Sequence, residues 1–360
     1  MKEILITSSV LILVLLALRW AFRSRITRRA QYALWTLVLV RLLVPFSLPG
    51  TDFSVLTAAQ PVERQLADRA EAIGDRTVFT WEPTETDTTP VQSPAQAGPD
   101  TPATETGTEA QTPDAGSYAY PVITQRTLTL GALLPYIWYA GIAVTGLWFL
   151  ICNLRFLQKL RKGRMPYTVD GCKYPIYLVE EGLPSPCLFG LVRPAIYLTS
   201  EAVSSPERTR HVIAHESAHA RHGDPLWSLL RCVCLSIYWF DPLVWIAAAA
   251  SKTECELACD ESAMASLGQT ERIAYGRTLL ALIPVRRGPA NPLLTATTMT
   301  ADKRHLKERI VRIAENRQTR TAALFAVIAL AAAVCAVTFT GAASEKNRPL
   351  TGDELAYFNE

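Results

Sequence analysis

His215-Glu216-Ser217-Ala218-His219 lies in the second half of a 360-residue chain, and the segments around it are best understood by what they do for it. Residues four apart on a helix share a face, so two imidazoles placed this way can grip one metal ion from the same side. Glu216, on the neighbouring face, is then positioned as a general base toward a water. Two ligands and one base are the mechanics of the H-E-x-x-H pattern. The local setting is helical: Ser205-Pro206 supplies an N-cap followed by proline at the first turn, and residues 207–220 contain few β-branched side chains.

A tetrahedral catalytic site needs a third protein ligand and keeps its fourth position for water. Position 225 is Pro225, so the histidine of the longer metzincin spacing is absent. Downstream, Glu254-Cys255-Glu256-Leu257-Ala258-Cys259-Asp260-Glu261 places Glu256 and Asp260 four apart on one helix face. Glu256 is expected as the third ligand of a single Zn2+. Asp260 is expected to accept a hydrogen bond from a ligand imidazole and fix its tautomer, with Asp224 a second candidate for such support. Glu254 and Glu261 remain open as substitutes for the ligand. By itself such a run would read as a solvated acidic helix; the nearby H-E-x-x-H changes its meaning. His222 and His211 read as packing or structural histidines, and Cys255 and Cys259 as core thiols, since no second Cys pair stands at finger spacing.

The chain is 49% hydrophobic with a mean hydropathy of +0.14, high for a soluble protein of this length. Four segments account for it: 4–21, 32–48, 128–152 and 321–343, each close to the ~20 residues that a bilayer-crossing helix needs. Arg41 sits inside the second, where its stem can snorkel or find a partner in a bundle. Arg23, Arg25, Arg28 and Arg29 follow the first apolar run, which excludes a cleaved signal peptide and places that loop in the cytoplasm. The 49–127 stretch then lies outside. Its Asp and Glu outnumber Arg and Lys about three to one, and it is rich in Thr and Pro, so it is expected to be largely disordered. Arg155, Lys159, Arg161, Lys162 and Arg164 open the cytoplasmic region 154–320, and Arg309, Arg312, Arg317 and Arg320 close it.

The expected organisation is therefore two spans over 1–48, an extracellular acidic loop over 49–127, a third span over 128–153, a cytoplasmic metallopeptidase domain over 154–320, a fourth span over 321–343 and a short outside tail over 344–360. The fold class is a mainly α membrane protein: four transmembrane helices with a cytoplasmic α+β zinc peptidase domain, multi-pass in the cell membrane with both termini extracellular. The net charge of +3 is juxtamembrane in origin, and no basic helix with interleaved aromatics suggests nucleic-acid contact. The eight cysteines fall in apolar stretches or in the cytoplasmic region, so no disulfides are expected.

Residues 226–250 are also apolar, interrupted by Arg231 and by Phe240-Asp241-Pro242. Were they a fifth span, His215 and Glu256 would be separated by the ~30 Å of the hydrocarbon core and could not share an ion. The metal motif thus predicts a helical hairpin turning at Asp241-Pro242, lying in or against the inner leaflet. Upstream of the metal helix the pattern changes to short β-type runs at 175–179, 187–189 and 195–198, punctuated by Gly and Pro. In zinc peptidases a strand edge beside the metal helix can pair with substrate backbone, and 188–198 is the candidate edge. Helices are expected over 271–282 and 302–315, with a Pro/Gly linker at 284–292 between them.

Taken in order, Ser185-Pro186-Cys187-Leu188-Phe189-Gly190-Leu191-Val192-Arg193-Pro194, His215-Glu216-Ser217-Ala218-His219, Gly223-Asp224, Trp239-Phe240-Asp241-Pro242-Leu243-Val244-Trp245 and Glu256-Leu257-Ala258-Cys259-Asp260-Glu261 resemble the BlaR/MecR-type membrane metallopeptidases. The segment from Ala301-Asp302-Lys303 to Arg309-Ile310 is similar as well. The resemblance implies a gluzincin-like fold with zinc on His215, His219 and Glu256 and catalysis by Glu216. It also implies signalling by proteolysis of a cytoplasmic DNA-binding repressor, often after self-cleavage. The antibiotic sensors of that family carry a penicillin-binding domain with a Ser-x-x-Lys nucleophile after the last span. The tail here holds no Ser-x-x-Lys, so β-lactam binding is not expected. A non-proteolytic receptor and a membrane-protein quality-control protease are the competing functional classes.

Overall fold

The computed structural model describes residues 2–22, 25–44, 48–51, 69, 72–73, 77–81, 126–180, 183–282, 297–298, 303–314 and 321–342. Most of the acidic 49–127 stretch, the 284–292 linker and the 344–360 tail lie outside these residues. The chain forms two compact units, one of residues 1–63 with 138–360 and one of residues 64–137.

The larger unit begins with helices α1 (Lys2–Phe22) and α2 (Arg28–Leu43), followed by the short strand β1 (Leu48–Thr51). In the smaller unit, β2 (Thr77–Trp81) pairs antiparallel with β3 (Arg126–Thr129). The long helix α3 (Leu130–Arg161) leads to strands β4 (Arg164–Tyr167), β5 (Ile176–Val179), β6 (Cys187–Phe189) and β7 (Ala195–Leu198). Helices α4 (Pro206–His222), α5 (Asp224–Ile237), α6 (Pro242–Leu267) and α7 (Arg272–Ala281) follow, then β8 (Thr297–Thr298), α8 (Lys303–Ala314), α9 (Thr321–Phe339) and β9 (Thr340–Ala342).

Two helices among the described residues are long and apolar enough to cross a bilayer: Glu3–Phe22 within α1, and α3. The apolar pattern of the sequence predicts four. The second candidate span is a helix of only 16 residues that carries Arg41, and the apolar part of α9 is the shorter run Leu324–Phe339. Arg41 does not snorkel. It is buried, donates from Nε to Thr7 Oγ1 at 2.9 Å and sits over the Phe339 ring at 5.2 Å, so α1, α2 and α9 share the cost of holding its charge. On α3, Tyr139, Val144, Leu147, Trp148 and Leu150 are all exposed, a surface suited to lipid contact and not to water.

The 226–250 stretch turns back. Tyr238 caps the end of α5, and the Asp241 side chain accepts from the Leu243 N–H at 2.8 Å to start α6. Arg231 on the outgoing arm reaches Ser251 on the returning one at 3.3 Å. Both arms join α1 and α2 in one apolar core, with Leu11, Leu15, Trp35, Val38, Leu235, Val244 and Ala247 buried together. The tip of the hairpin docks on α3, where Gly141 leaves room for the Trp239 indole; a Cβ there would stand 2.2 Å from the ring.

A second core lies under a five-stranded sheet of order β4-β5-β7-β6-β8. Strands β5 and β7 are parallel, and the other pairs are antiparallel. The alternating β-branched and aromatic runs form strands as expected from their composition. Strand β4 precedes the Gly/Pro-punctuated region and carries no such signal in its sequence. Leu188, Ile196 and Leu198 from the sheet pack against Val212 of α4, Ala263 of α6, Tyr275 and Leu279 of α7 and Ile313 of α8. Helix α4 is thus held between sheet and helices, with one of its faces directed at α6.

Candidate metal centre

Ser205 caps α4 by accepting from the Arg208 N–H at 3.2 Å, and Pro206 occupies the first turn. The helix ends at Gly223, whose φ of 71° is the left-handed conformation that a side chain disfavours. That residue closes α4 and lets α5 begin at once, which brings Asp224 back against the helix it has just left.

His215 and His219 are both buried, with Nε2 atoms 3.1 Å apart. Glu256 arrives from α6 with Oε2 3.6 Å from His215 Nε2 and Oε1 3.8 Å from His219 Nε2. Ligand atoms held 2.0–2.1 Å from a tetrahedral zinc ion stand roughly 3.3–3.4 Å from one another, so this donor set fits such an ion. Among the described residues Glu256 Oε2 is also buried without a hydrogen-bond partner, its nearest cation being the Arg309 guanidinium at 3.4 Å, so it is an atom that a metal ion would satisfy. The two alternative ligands are engaged elsewhere. Glu254 is fully buried against Arg19 Nε at 2.6 Å and Arg28 at 3.2 Å, while Glu261 accepts from the Arg28 backbone N–H at 2.7 Å.

Each imidazole uses its other nitrogen for support. His215 Nδ1 lies 3.1 Å from Asp260 Oδ1 and 2.9 Å from the Tyr275 hydroxyl, which itself donates to Asp260 Oδ1 at 2.7 Å. Arg309 then grips Asp260 through two hydrogen bonds of 2.7 Å and approaches Glu256 Oε2 at 3.4 Å. His219 Nδ1 stands 2.7 Å from Asp224 Oδ2. The Tyr32 hydroxyl donates to Asp224 Oδ1 at 2.8 Å, and the Cys259 thiol lies 3.3 Å from Oδ2. With Nδ1–H donated to a carboxylate in both cases, each Nε2 keeps its lone pair for a metal.

Electrostatics favour positive charge at this point. Burial alone would push both imidazoles down, but Asp260 and Glu256 beside His215, and Asp224 beside His219, hold them above the ordinary histidine value. Burial would raise the carboxyls; instead the His215 hydrogen bond and the charges of His219 and Arg309 lower Glu256 to about 2, and His219 lowers Asp224 to about 2. Asp260 is likewise held well below the usual range by Arg309. Glu216 behaves oppositely. Its carboxyl is fully buried, burial pushes it up, and among the described residues neither oxygen has a side-chain hydrogen-bond partner. The backbone of Leu188 in β6 is among the groups acting on it, so Glu216 faces the candidate substrate edge.

Several residues take roles that no sequence pattern assigns to them. In the sequence Arg309 reads as one of the juxtamembrane basic groups, yet it is 1% exposed and contacts both Asp260 and Glu256. Tyr275 and Tyr32 belong to no motif at all. His222 contacts Ser262 and Cys259, and His211 contacts Thr278 and Glu271; neither touches Glu256.

A family model described as BlaR1 peptidase M56 matches residues 1–313. The chain belongs to that family of membrane metallopeptidases. It is 29% identical over 208 residues to the regulatory protein BlaR1 of Bacillus licheniformis, covering 54% of this chain and 34% of that protein. It is 27% identical over 137 residues to the methicillin resistance mecR1 protein of Staphylococcus aureus (strain Mu50 / ATCC 700699), covering 38% of this chain and 23% of that one. The matched regions are thus about a third and a quarter of those relatives' lengths.

Proposed function

We propose that this M56 family member is a zinc endopeptidase of the bacterial cell membrane that cuts a cytoplasmic protein, a DNA-binding repressor, in transmembrane signalling. The observation that carries the proposal is the meeting of His215 Nε2, His219 Nε2 and Glu256 beside the fully buried Glu216. His215, His219 and Glu256 would hold one Zn2+, which when bound supplies Lewis-acid polarisation of a peptide carbonyl and lowers the pKa of water toward ~7. Glu216 accepts the proton of the attacking water and returns it to the leaving amine. Asp260 and Asp224 keep the two imidazoles in the tautomer and orientation that ligation requires.

The substrate is read as an extended segment because β6 already accepts one. Thr297 and Thr298 pair antiparallel with Leu188 and Cys187, and a peptide laid along that strand would run past Glu216. The four-span arrangement, with 154–320 in the cytoplasm and both termini outside, rests on the basic clusters at 22–31, 155–164 and 309–320. Repressor specificity rests on the likeness to regulatory relatives. β-Lactam acylation forms no part of the proposal.

The test is the full chain purified in detergent, incubated with candidate repressors and followed by mass spectrometry, alongside Glu216→Gln. One defined cut is expected with the native chain. The substitution should lower the rate by about 10²–10⁴-fold while one zinc per chain is retained. Cleavage at an undiminished rate would remove Glu216 from the chemistry, and many cuts in damaged membrane proteins would indicate a quality-control protease.

A further inference from the structure

Cys255 and Cys259 stand four apart on α6 and share one of its faces, which meets the corner where α4 passes into α5. Cys259 Sγ lies 3.2 Å from His219 Nδ1 and 3.3 Å from Asp224 Oδ2, and Cys255 Sγ lies 3.8 Å from the same nitrogen. One atom from each of His219, Asp224, Cys255 and Cys259 lies within 4.8 Å of the others, and all four residues are buried. This set meets the His215-His219-Glu256 set only at the His219 ring, through Nδ1 instead of Nε2, and the two have no donor atom in common.

Hydrogen bonding alone gives the two thiols little to do. Asp224 already accepts from His219 Nδ1 at 2.7 Å and from the Tyr32 hydroxyl at 2.8 Å, both stronger donors than S–H. Apolar packing does not call for sulfur either, since α6 fills the neighbouring buried positions with Ala258 and Ala263. The spacing does suit a metal ion. With bonds of about 2.3 Å to sulfur and 2.0–2.2 Å to nitrogen or oxygen, tetrahedral zinc ligands stand roughly 3.3–3.8 Å from one another. The three contacts that involve sulfur match that range. His219 Nδ1 and Asp224 Oδ2 would move apart by about 0.6 Å as an ion replaced their hydrogen bond. A cavity of about 240 Å³ supplies the approach, because two of its lining residues touch the set: His222 Nδ1 is 3.4 Å from Cys259 Sγ, and Tyr32 bonds Asp224.

We propose that Cys255, Cys259, Asp224 and His219 Nδ1 form a second metal site, for a thiophilic divalent cation of the zinc and cadmium class. Two sulfur donors disfavour Mg2+ and Ca2+, which take oxygen ligands. On binding, both thiols and His219 Nδ1 release their protons to solvent, and the His219 ring bridges the two sites. Because those protons must leave and the ring is shared, the second site is the weaker and fills under added cation. It does not rest on the peptidase reading: its donors hold an ion whether or not the first set catalyses.

The experiment is zinc K-edge X-ray absorption on the full-length, reduced protein in detergent, loaded with two equivalents of Zn2+. The native chain should show sulfur neighbours at about 2.3 Å. The first set contains no sulfur, so this signal reports the second site alone. Cys255→Ser with Cys259→Ser should abolish it, whereas Cys232→Ser with Cys234→Ser should leave it intact. His215→Ala, which removes a donor of the first set only, should leave it intact as well, so a failure of the peptidase reading would not disturb the result. The native and Cys232/Cys234 samples decide the matter even where the other substitutions fail to fold. Only nitrogen and oxygen neighbours in the native chain, sulfur persisting without Cys255 and Cys259, or sulfur lost in either control would overturn the proposal.

Discussion

His215 and His219 stand one turn apart on the same helix, yet different regions of the molecule hold them. His215 leans on Tyr275 of α7 and Asp260 of α6, and Asp260 is locked by Arg309 of α8. His219 leans on Asp224 at the start of the apolar hairpin, and Asp224 is held by Tyr32 of α2. The first set is built on a buried, two-pronged ion pair, whereas the second depends on neutral donors. The two sides should therefore fail differently: loss of charge balance on one, loss of orientation on the other. The candidate metal centre is a joint between the sheet-bearing core and the apolar helical bundle.

The largest effect is expected from Arg309→Leu. It leaves the Asp260 carboxylate buried without its guanidinium, a situation that costs about 3–5 kcal/mol. Thermal unfolding of the detergent-solubilised chain should move down by several degrees; an unchanged midpoint would show that the His215 side does not depend on this pair. Asp224→Asn removes no such pair and should leave the midpoint closer to wild type. Its expected cost is in zinc affinity, by about 10–100-fold, measured by competition with a chromophoric chelator. If Asp224→Asn and Arg309→Leu proved equally destabilising, the contrast drawn between the two sides would be wrong.

Smaller effects sharpen the same contrast. Tyr275→Phe and Tyr32→Phe each remove one buried hydrogen bond, worth about 0.5–1.5 kcal/mol. Because the two tyrosines serve separate carboxylates, their effects on stability should add to within about 0.5 kcal/mol in a double-mutant cycle. A larger coupling energy would mean that the His215 and His219 networks act as one.

Acid provides a further probe, applied to metal-stripped protein. Asp224 and Glu256 titrate near 2 in the folded chain, below the ~4 of unfolded carboxylates. Their stabilisation is therefore fully present above about pH 5 and is lost as pH falls from ~4 toward 2. Asp224→Asn should flatten part of that decline, and a slope unaltered by the substitution would remove Asp224 from the account.

Much of the site is legible in the sequence. The spacing of His215 and His219 places two candidate ligands on one face, and the search for a third points to Glu256 and predicts the hairpin at Asp241-Pro242. Asp260 follows from helical periodicity. Arg309, Tyr275 and Tyr32 do not, because their partners are 49, 15 and 192 residues away and no local spacing gives their roles. An arginine near an apolar segment looks the same whether it faces phosphate headgroups or a buried aspartate. For the same reason Arg28 reads as a topology signal, though together with Arg19 it also neutralises Glu254.

The number of spans marks the opposite limit. Composition draws four apolar segments, but helix length and the placement of Arg41 against Thr7 and Phe339 are properties of packing. From the sequence alone come the candidate metal donors, the helical period that brings them together and the sign of charge along the chain, since these depend on residue type and short-range spacing. Which carboxylate meets which base is decided only by tertiary structure, because an ion pair is fixed by where helices cross, and crossings join residues whose separation along the chain carries no information.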